Sequence, residues 1–426
     1  MDNVSLTCSL PFHFVSGISS RILNWRVEDI AGFPLVSSLN GLREAGVKAI
    51  LIYPADAICS SENVAVPLSR LPQRWVPNAV WQTNARLLLE HLKRNGETLT
   101  TTAGMMGWDY LTWLAGVVGV RMLIILPPDS VEESIRQIKS SIVELSLDSA
   151  NVTFIAPVAS KRFDRSIAYP LRDKLMLDFS QCLYPLAIRP GGFWDKVIST
   201  HEDVDDAFRA PYPKIVKMKV SASSIVSSAG RGYNWQDAFI HMTRGVFGPW
   251  VGETKADYFN ALVNNQGENP RNELATLTYI LNSGILRGSG SKIRSAIPVV
   301  SFSTLNPYEI LALKKTSPHR PGSALEPYGL AIKKEALLEL GLRPVIYGEE
   351  KDYLRLSDGE KPFFQHVGKS FGFDDDHSWR REKEFRLMGD LDLTSLREYI
   401  TAILPTAREA ADVARLTGYP TLHLFE

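Results

Sequence analysis
The sequence predicts a two-domain chain: an open α/β domain over residues 1–200, a linker over 201–232 and an α+β domain over 233–426. Three observations predict it. A length of 426 residues exceeds what one core normally organises. Residues 98–126 read as strand, glycine loop, helix and strand, which is a βαβ unit. After residue 232, strand-like runs mix with short helices and irregular stretches instead of alternating regularly.

The elements follow in order. Val47-Lys48-Ala49-Ile50-Leu51-Ile52-Tyr53 is a short apolar run suited to a buried strand. Residues 85–94 carry Leu87, Leu88, Leu89 and Leu92 at helical spacing, and Asn95-Gly96 is a helix stop. Thr98 to Thr101 reads as a strand, 108–118 as a helix, and 121–126 as the next, parallel strand. The linker holds an acidic run (Glu202, Asp203, Asp205, Asp206), a Pro-Tyr-Pro and a polar stretch up to Gly232. Beyond it, 298–303, 329–332 and 344–347 read as strands. No internal repeat or low-complexity tract is evident.

Composition narrows the function classes. Apolar residues make up 45% and charged residues 22%, as in ordinary globular proteins. Acidic and basic residues balance at 47 each, so any nucleic-acid or membrane surface has to be a local patch. Cys8, Cys59 and Cys182 are far apart and form no CxxC or Cys/His cluster; a structural metal is not expected, and the pattern fits a reducing cytoplasm. His319, His366 and His377 likewise lack ligand spacing. The N-terminus shows no basic stretch followed by an apolar run, so no secretion signal is expected. The longest apolar stretch, 108–126, is interrupted by Asp109 and Arg121, so no membrane partner is expected.

Two segments of the first domain carry candidate chemistry. Thr100-Thr101-Thr102-Ala103-Gly104-Met105-Met106-Gly107-Trp108-Asp109 joins a strand to a helix. Glycines there let the backbone approach a ligand, and a helix N-terminus offers free N–H groups to an anion. The segment has neither GxxxxGK[ST] nor GxGxxG, and a plain tight turn is the alternative. The second segment, Ser160 to Ala168, sets Lys161, Arg162 and Arg165 before a helical stretch, either as a phosphate clamp or as a solvated helix start. The candidate nucleotide-binding residues are Thr102, Gly104, Gly107, Asp109, Lys161, Arg162 and Arg165. Together the two segments distantly resemble the Rossmann-like group that includes the DNA-processing protein DprA and the LOG-type nucleotide-binding proteins.

In the second domain, Trp379-Arg380-Arg381-Glu382-Lys383-Glu384-Phe385-Arg386, ending in Gly389-Asp390-Leu391-Asp392, is the most informative stretch. On a strand, Glu382 and Glu384 would share a face, and a carboxylate pair among arginines is a place where a pKa is tuned. The alternative is a charged edge strand in solvent. His241 and Thr243 have same-face spacing on a strand and offer hydrogen bonds to a ribose or amide, as do Ser301 and Ser303 in Val299-Val300-Ser301-Phe302-Ser303. The plain alternatives are a structural histidine, serines that open a loop before Asn306-Pro307, and core aromatics at Tyr328 and Tyr347.

His241-x-Thr243, the helix ending near Leu281-Asn282-Ser283-Gly284-Ile285-Leu286, the Ser-x-Ser strand and the late Glu-x-Glu together resemble the ADP-ribosyltransferase superfamily, most of all its toxin-type and DarT-like members. The Tyr-Gly strand followed by Trp-x-x-Glu-x-Glu-aromatic-Arg is similar to abortive-infection (AbiGi-like) bacterial proteins. This implies an ADP-ribosyltransferase-like fold over 233–426 and NAD as substrate, in an NAD-consuming effector of phage defence with a nucleotide-sensing N-terminal domain. By the same resemblance Glu384 is the catalytic carboxylate and Glu382 its assistant. His241 and Thr243 hold the ribose or nicotinamide amide, with Ser301, Ser303 and Tyr328 completing the site. The alternative is a non-enzymatic DprA-like nucleic-acid-binding or interaction protein, and a third reading is a nucleotide hydrolase or glycosidase using Asp109. The expected partners are NAD or another nucleotide, with nucleic acid as the alternative ligand and a homo-oligomer left open.

Overall fold
A computed structural model of the chain describes residues 23–26, 46–53, 62–72, 75, 77–159, 163–213, 226–265, 269–290, 293–315, 327–367 and 380–426. They form a mixed α/β structure that divides into two units. The first comprises residues 1–215 with 248–269, the second 216–247 with 270–426. The division falls inside the expected linker, but the second unit is not continuous from residue 233: residues 248–269 belong with the first.

The first unit is built on a seven-stranded sheet of order β1-β2-β6-β5-β4-β3-β7. The strands are β1 (Leu23–Arg26), β2 (Val47–Tyr53), β3 (Asn63–Ala65), β4 (Thr98–Thr102), β5 (Met122–Ile125), β6 (Val152–Ala159) and β7 (Cys182–Leu183). From β7 through β3, β4 and β5 to β6 the strands run parallel; β2 and β1 extend the sheet antiparallel. The helix Val80–Asn95 stops at Gly96, in the left-handed conformation at φ 74°. The helix Met106–Val118 connects β4 to β5 and is buried all round from Gly107 to Ala115, which is why that stretch is apolar on nearly every side.

The second unit is built on a seven-stranded sheet of order β12-β15-β10-β8-β11-β17-β18. Its strands are β8 (Ala238–Met242), β10 (Val299–Ser303), β11 (Gly329–Lys333), β12 (Arg343–Pro344), β15 (Glu384–Met388), β17 (Ile400–Leu404) and β18 (Thr421–His423). Only β17–β18 is parallel; the other neighbours are antiparallel. Two small sheets accompany it, β13 (Ile346–Gly348) with β14 (Phe364–His366), and β9 (Ile285–Leu286) with β16 (Leu391–Asp392).

Strand alternation gives this sheet two differently filled faces. Phe239, Val300, Phe302, Leu330, Ile332 and Leu387 form one core with Leu277 and Leu281 of the helix Glu273–Ser283 and Ala410 and Val413 of the helix Ala407–Thr417. Ala238, Ile240, Ala331 and Ile403 form the other with Leu305, Ile310 and Leu424. The side of the sheet on which a residue lies therefore decides what it can touch.

Candidate functional site
In β10 and β15 the apolar residues alternate with polar ones, so burying Val300, Phe302, Phe385 and Leu387 forces the polar set to the opposite face. The register sets Ser301 opposite Arg386 and Ser303 opposite Glu384, bringing all four to one face. The Ser301 hydroxyl donates to Glu384 Oε1 at 2.6 Å. The Ser303 hydroxyl donates to the Glu382 carbonyl at 2.6 Å and accepts from the Leu305 N–H at 3.0 Å.

Arg386 is the residue that the sequence reading passed over. Its side chain is 3% exposed and that of Glu384 12%. Nε donates to Glu384 Oε1 at 3.0 Å, and Nη2 donates to Glu384 Oε2 at 3.3 Å and Gln365 Oε1 at 2.7 Å. Nη1 donates to the carbonyls of Pro362 (3.2 Å) and Phe364 (2.9 Å). All five guanidinium N–H groups are thereby used, and the segment around β14 is tied to β15. Glu384 accepts three of these hydrogen bonds, counting the one from Ser301; a carboxylate accepts about four, so Oε2 retains capacity for a ligand hydroxyl. The Tyr347 hydroxyl has its pKa pushed up by burial and by the nearby Glu384 charge. The Arg380 guanidinium lies over the Tyr347 ring, 5.7 Å from its centre. Tyr347 thus belongs to the surroundings of Glu384 and is not simply a core aromatic.

Four expected site residues, Glu382, His241, Thr243 and Tyr328, make other contacts. Glu382 precedes β15, and Lys383 between the two glutamates has φ +45°, a left-handed conformation that breaks the strand. The same-face pairing of Glu382 with Glu384 therefore does not hold, and Glu382 contributes its backbone carbonyl instead. His241 pairs with Leu330 in a register that sets Ile240 opposite Ser303, so its ring lies on the other face of the sheet from Glu384. The ring meets Phe302 edge-on at 5.8 Å. Its Nδ1 is 2.9 Å from the Ser301 carbonyl, which only accepts, so Nδ1 carries the proton. Burial, the largest cause, and the Arg244 charge hold the His241 pKa below the ordinary histidine value, partly offset by that hydrogen bond. Thr243 is buried just beyond β8; its N–H donates to the Tyr328 carbonyl at 2.8 Å, and its Oγ1 has no hydrogen-bond partner among the described residues. The Tyr328 hydroxyl donates to Glu409 at 2.8 Å.

In the first unit the β4 turn is held by the protein's own groups. Gly104 has φ +99°, a conformation that favours glycine. Asp109, buried in the first turn of the helix, accepts from the Gly104 N–H at 3.3 Å and from Lys255 Nζ at 2.7 Å. The helix N-terminus thus already carries an anion. A Cβ on Gly107 would lie 2.9 Å from Leu68 Cδ2, so that glycine serves packing. Thr102 is fully buried. Arg165 is exposed at the start of the helix Arg165–Asp178, whose cap Asp164 accepts from the Ser166 N–H and hydroxyl; these bonds hold the Asp164 carboxyl below its usual range. Buried Arg172 braces the turn instead: it lies 4.6 Å from the Trp108 and Tyr169 ring centres, pairs with Asp173, and donates to the Ala103 carbonyl at 3.3 Å. Tyr169 and Arg172, three apart on one helix, were the sequence signal for it. Beyond β3 and β7 the chain is zipped by bonds from Tyr184 N to Ala65 O, Leu186 N to Pro67 O and Ser69 N to Ala187 O.

Lys161, Arg162, Cys8, Cys59, His319, His377 and Trp379 lie outside the described residues. Among those described, no helix is long and apolar enough to cross a membrane, and no group of three or more His, Cys, Asp or Glu side chains could hold a metal ion. Comparison with protein-family models and with curated proteins finds no match for this chain.

Proposed function
We propose that the second unit is an ADP-ribosyltransferase-like domain that consumes NAD, with Glu384 as its catalytic carboxylate. The observation that carries this reading is the Ser301 hydroxyl at 2.6 Å from Glu384 Oε1, on a sheet face shared with Ser303 and Arg386. In this reading Glu384 Oε2 accepts a ribose hydroxyl of NAD. Its charge stabilises the oxocarbenium-like centre as the C1′–nitrogen bond breaks and the electron pair leaves with nicotinamide. Water or an acceptor nucleophile then bonds to C1′ and gives up its proton. Ser301 fixes the carboxylate rotamer and Arg386 anchors it. His241, on the far face, braces β10 through the Ser301 carbonyl and does not touch the substrate.

A second reading is favoured by the full hydrogen bonding of Arg386: Glu384, Arg386 and Gln365 form a clamp that fastens the β14 segment in a binding domain without catalysis. Release of nicotinamide from NAD separates the two. The catalytic reading expects release by the wild-type chain and by His241→Gln, a loss in Glu384→Gln, and a decrease of about tenfold in Ser301→Ala, comparable to the smaller effects of removing one positioning contact. Circular dichroism checks that each variant is folded. No release from the folded wild-type chain with any acceptor, together with unchanged ADP-ribose binding in Glu384→Gln, rejects it in favour of the clamp.

A further inference from the structure
Glu384 Oε2 retains capacity for a hydroxyl, whereas all five Arg386 N–H groups are used within the protein. A substrate that also carries an anionic group therefore needs a second cation beside Glu384. The turn that leads into β15 supplies one.

Residues Arg380 to Lys383 form a turn in which the Lys383 N–H donates to the Arg380 carbonyl at 3.3 Å. Lys383, at φ +45°, ends that turn and starts β15. Along the edge of β15 away from β10, the Val345 N–H donates to the Glu384 carbonyl at 3.0 Å, which brings the chain from β12 into β13 alongside Glu384. Tyr347 follows two residues later, and the Arg380 guanidinium lies over its ring at 5.7 Å from the centre. The Tyr347 hydroxyl stands beside Glu384: after burial, the Glu384 charge is the largest cause that raises its pKa, and the Glu384 N–H opposes it.

A ring face attracts a guanidinium without occupying its N–H donors. Among the described residues the exposed Arg380 side chain makes no hydrogen bond and no ion pair, so its planar fork is open to two oxygens of a phosphate. Glu382 puts one carboxylate into the turn, against the cations of Arg380, Arg381 and Lys383, and the balance there favours an anion.

We propose, on the reading of Glu384 as the carboxylate that meets the ribose, that Arg380 binds the phosphate of the substrate and restricts the site to phosphorylated ribosyl compounds. The phosphate is the one on the 5′ oxygen of the ribose that loses nicotinamide. NAD and nicotinamide mononucleotide carry it, and nicotinamide riboside lacks it. Arg380 touches no reacting atom, so its contact is the same before and during bond breaking and lowers KM without raising kcat.

Nicotinamide release by the full chain from these three substrates tests it. Arg380→Gln keeps a polar side chain at an exposed position, and circular dichroism checks that it is folded. The expected result is a KM about tenfold higher for NAD and for the mononucleotide with kcat nearly unchanged, as for loss of one charge-assisted contact, and no change for nicotinamide riboside. Arg380→Lys is expected to recover part of the loss, because a point charge still meets the phosphate, and Arg381→Gln to behave as wild type. An unchanged KM for NAD, an effect confined to NAD, or an equal rise for nicotinamide riboside overturns the proposal. If the wild-type chain releases nicotinamide from none of the three, the catalytic reading fails by itself, and calorimetric titration with ADP-ribose decides on Arg380. Binding several times weaker in Arg380→Gln then sustains its role, and equal or absent binding overturns it.

Discussion

Arg386 grips Glu384 through both carboxylate oxygens, Nε to Oε1 at 3.0 Å and Nη2 to Oε2 at 3.3 Å, while its remaining N–H groups hold Pro362, Phe364 and Gln365. Arg386 is buried and Glu384 is mostly so, and the cost of breaking such a pair comes mainly from the charge left behind. Arg386→Met strands Glu384 and releases the β14 segment, so a loss of about 3–5 kcal/mol is expected. Glu384→Gln leaves Arg386 its three neutral acceptors and costs less. The double variant is expected to lose less than the sum of the singles, because the stranded charge is absent. Urea unfolding of the four proteins measures this; strict additivity would mean that the two side chains are not energetically coupled.

Lys383 holds the left-handed conformation that sets Glu384 at the start of β15. Its side chain is exposed, so substitution changes little besides the backbone preference. A non-glycine residue in this region is strained by roughly 1 kcal/mol, and glycine relieves it at some cost in unfolded-chain entropy. Lys383→Gly is therefore expected to stabilise the chain slightly, by about 0.5 kcal/mol. A differential-scanning melt that moves downward would show that the lysine side chain makes a stabilising contact.

The sequence made the local elements legible and left the faces hidden. The apolar run 47–53 is β2, Gly96 and Gly284 end helices in left-handed conformations, and the Ser-x-Ser alternation marks β10. Those signals are local: they depend on period and on glycine chemistry. Two-residue spacing says that His241 and Thr243 share a side, but not which side; that is set by the register of β8 against β10 and β11. Glu382 was lost to a single residue, Lys383, whose positive φ no pattern announces. Arg386 read as one more charge in a charged stretch because its acceptors, the carbonyls of Pro362 and Phe364, are supplied by a distant segment. The transfer of 248–269 to the first unit depends on rings at Trp75, Tyr110 and Trp113, which no window around Phe259 contains.

His241 gives the stability a pH signature. Burial holds its pKa in the folded chain below the ordinary value of 6.5. Between those two values the unfolded chain binds more protons than the folded one, so stability increases with pH across that window. The contribution is complete above about pH 6.5 and is lost as pH falls through the folded value. His241→Gln removes it, and the variant is expected to lose less melting temperature than the wild type between neutral pH and about pH 5, other groups being common to both. Parallel curves for the two proteins would mean that the histidine is as easily protonated in the folded chain as in the unfolded one.

Phe259 decides whether the first unit can stand without the second half of the sequence. Its ring is fully buried among Trp75, Tyr110 and Trp113, and Tyr258 and Leu262 beside it are buried too. Phe259→Ala leaves a cavity there, and a loss of about 3–5 kcal/mol is expected. A chain ending at residue 232 lacks the whole helix Lys255–Asn264 and loses Ala256, Tyr258, Phe259 and Leu262 from the core together. Such a truncation is expected to lose near-ultraviolet circular dichroism from its tryptophans and to bind a hydrophobic dye, as loosely packed states do. A truncation after residue 269 keeps the helix and is expected to recover part of that signal. If the shorter chain instead melts cooperatively at the temperature of the full protein, the helix is an ornament on the first unit and not part of its core.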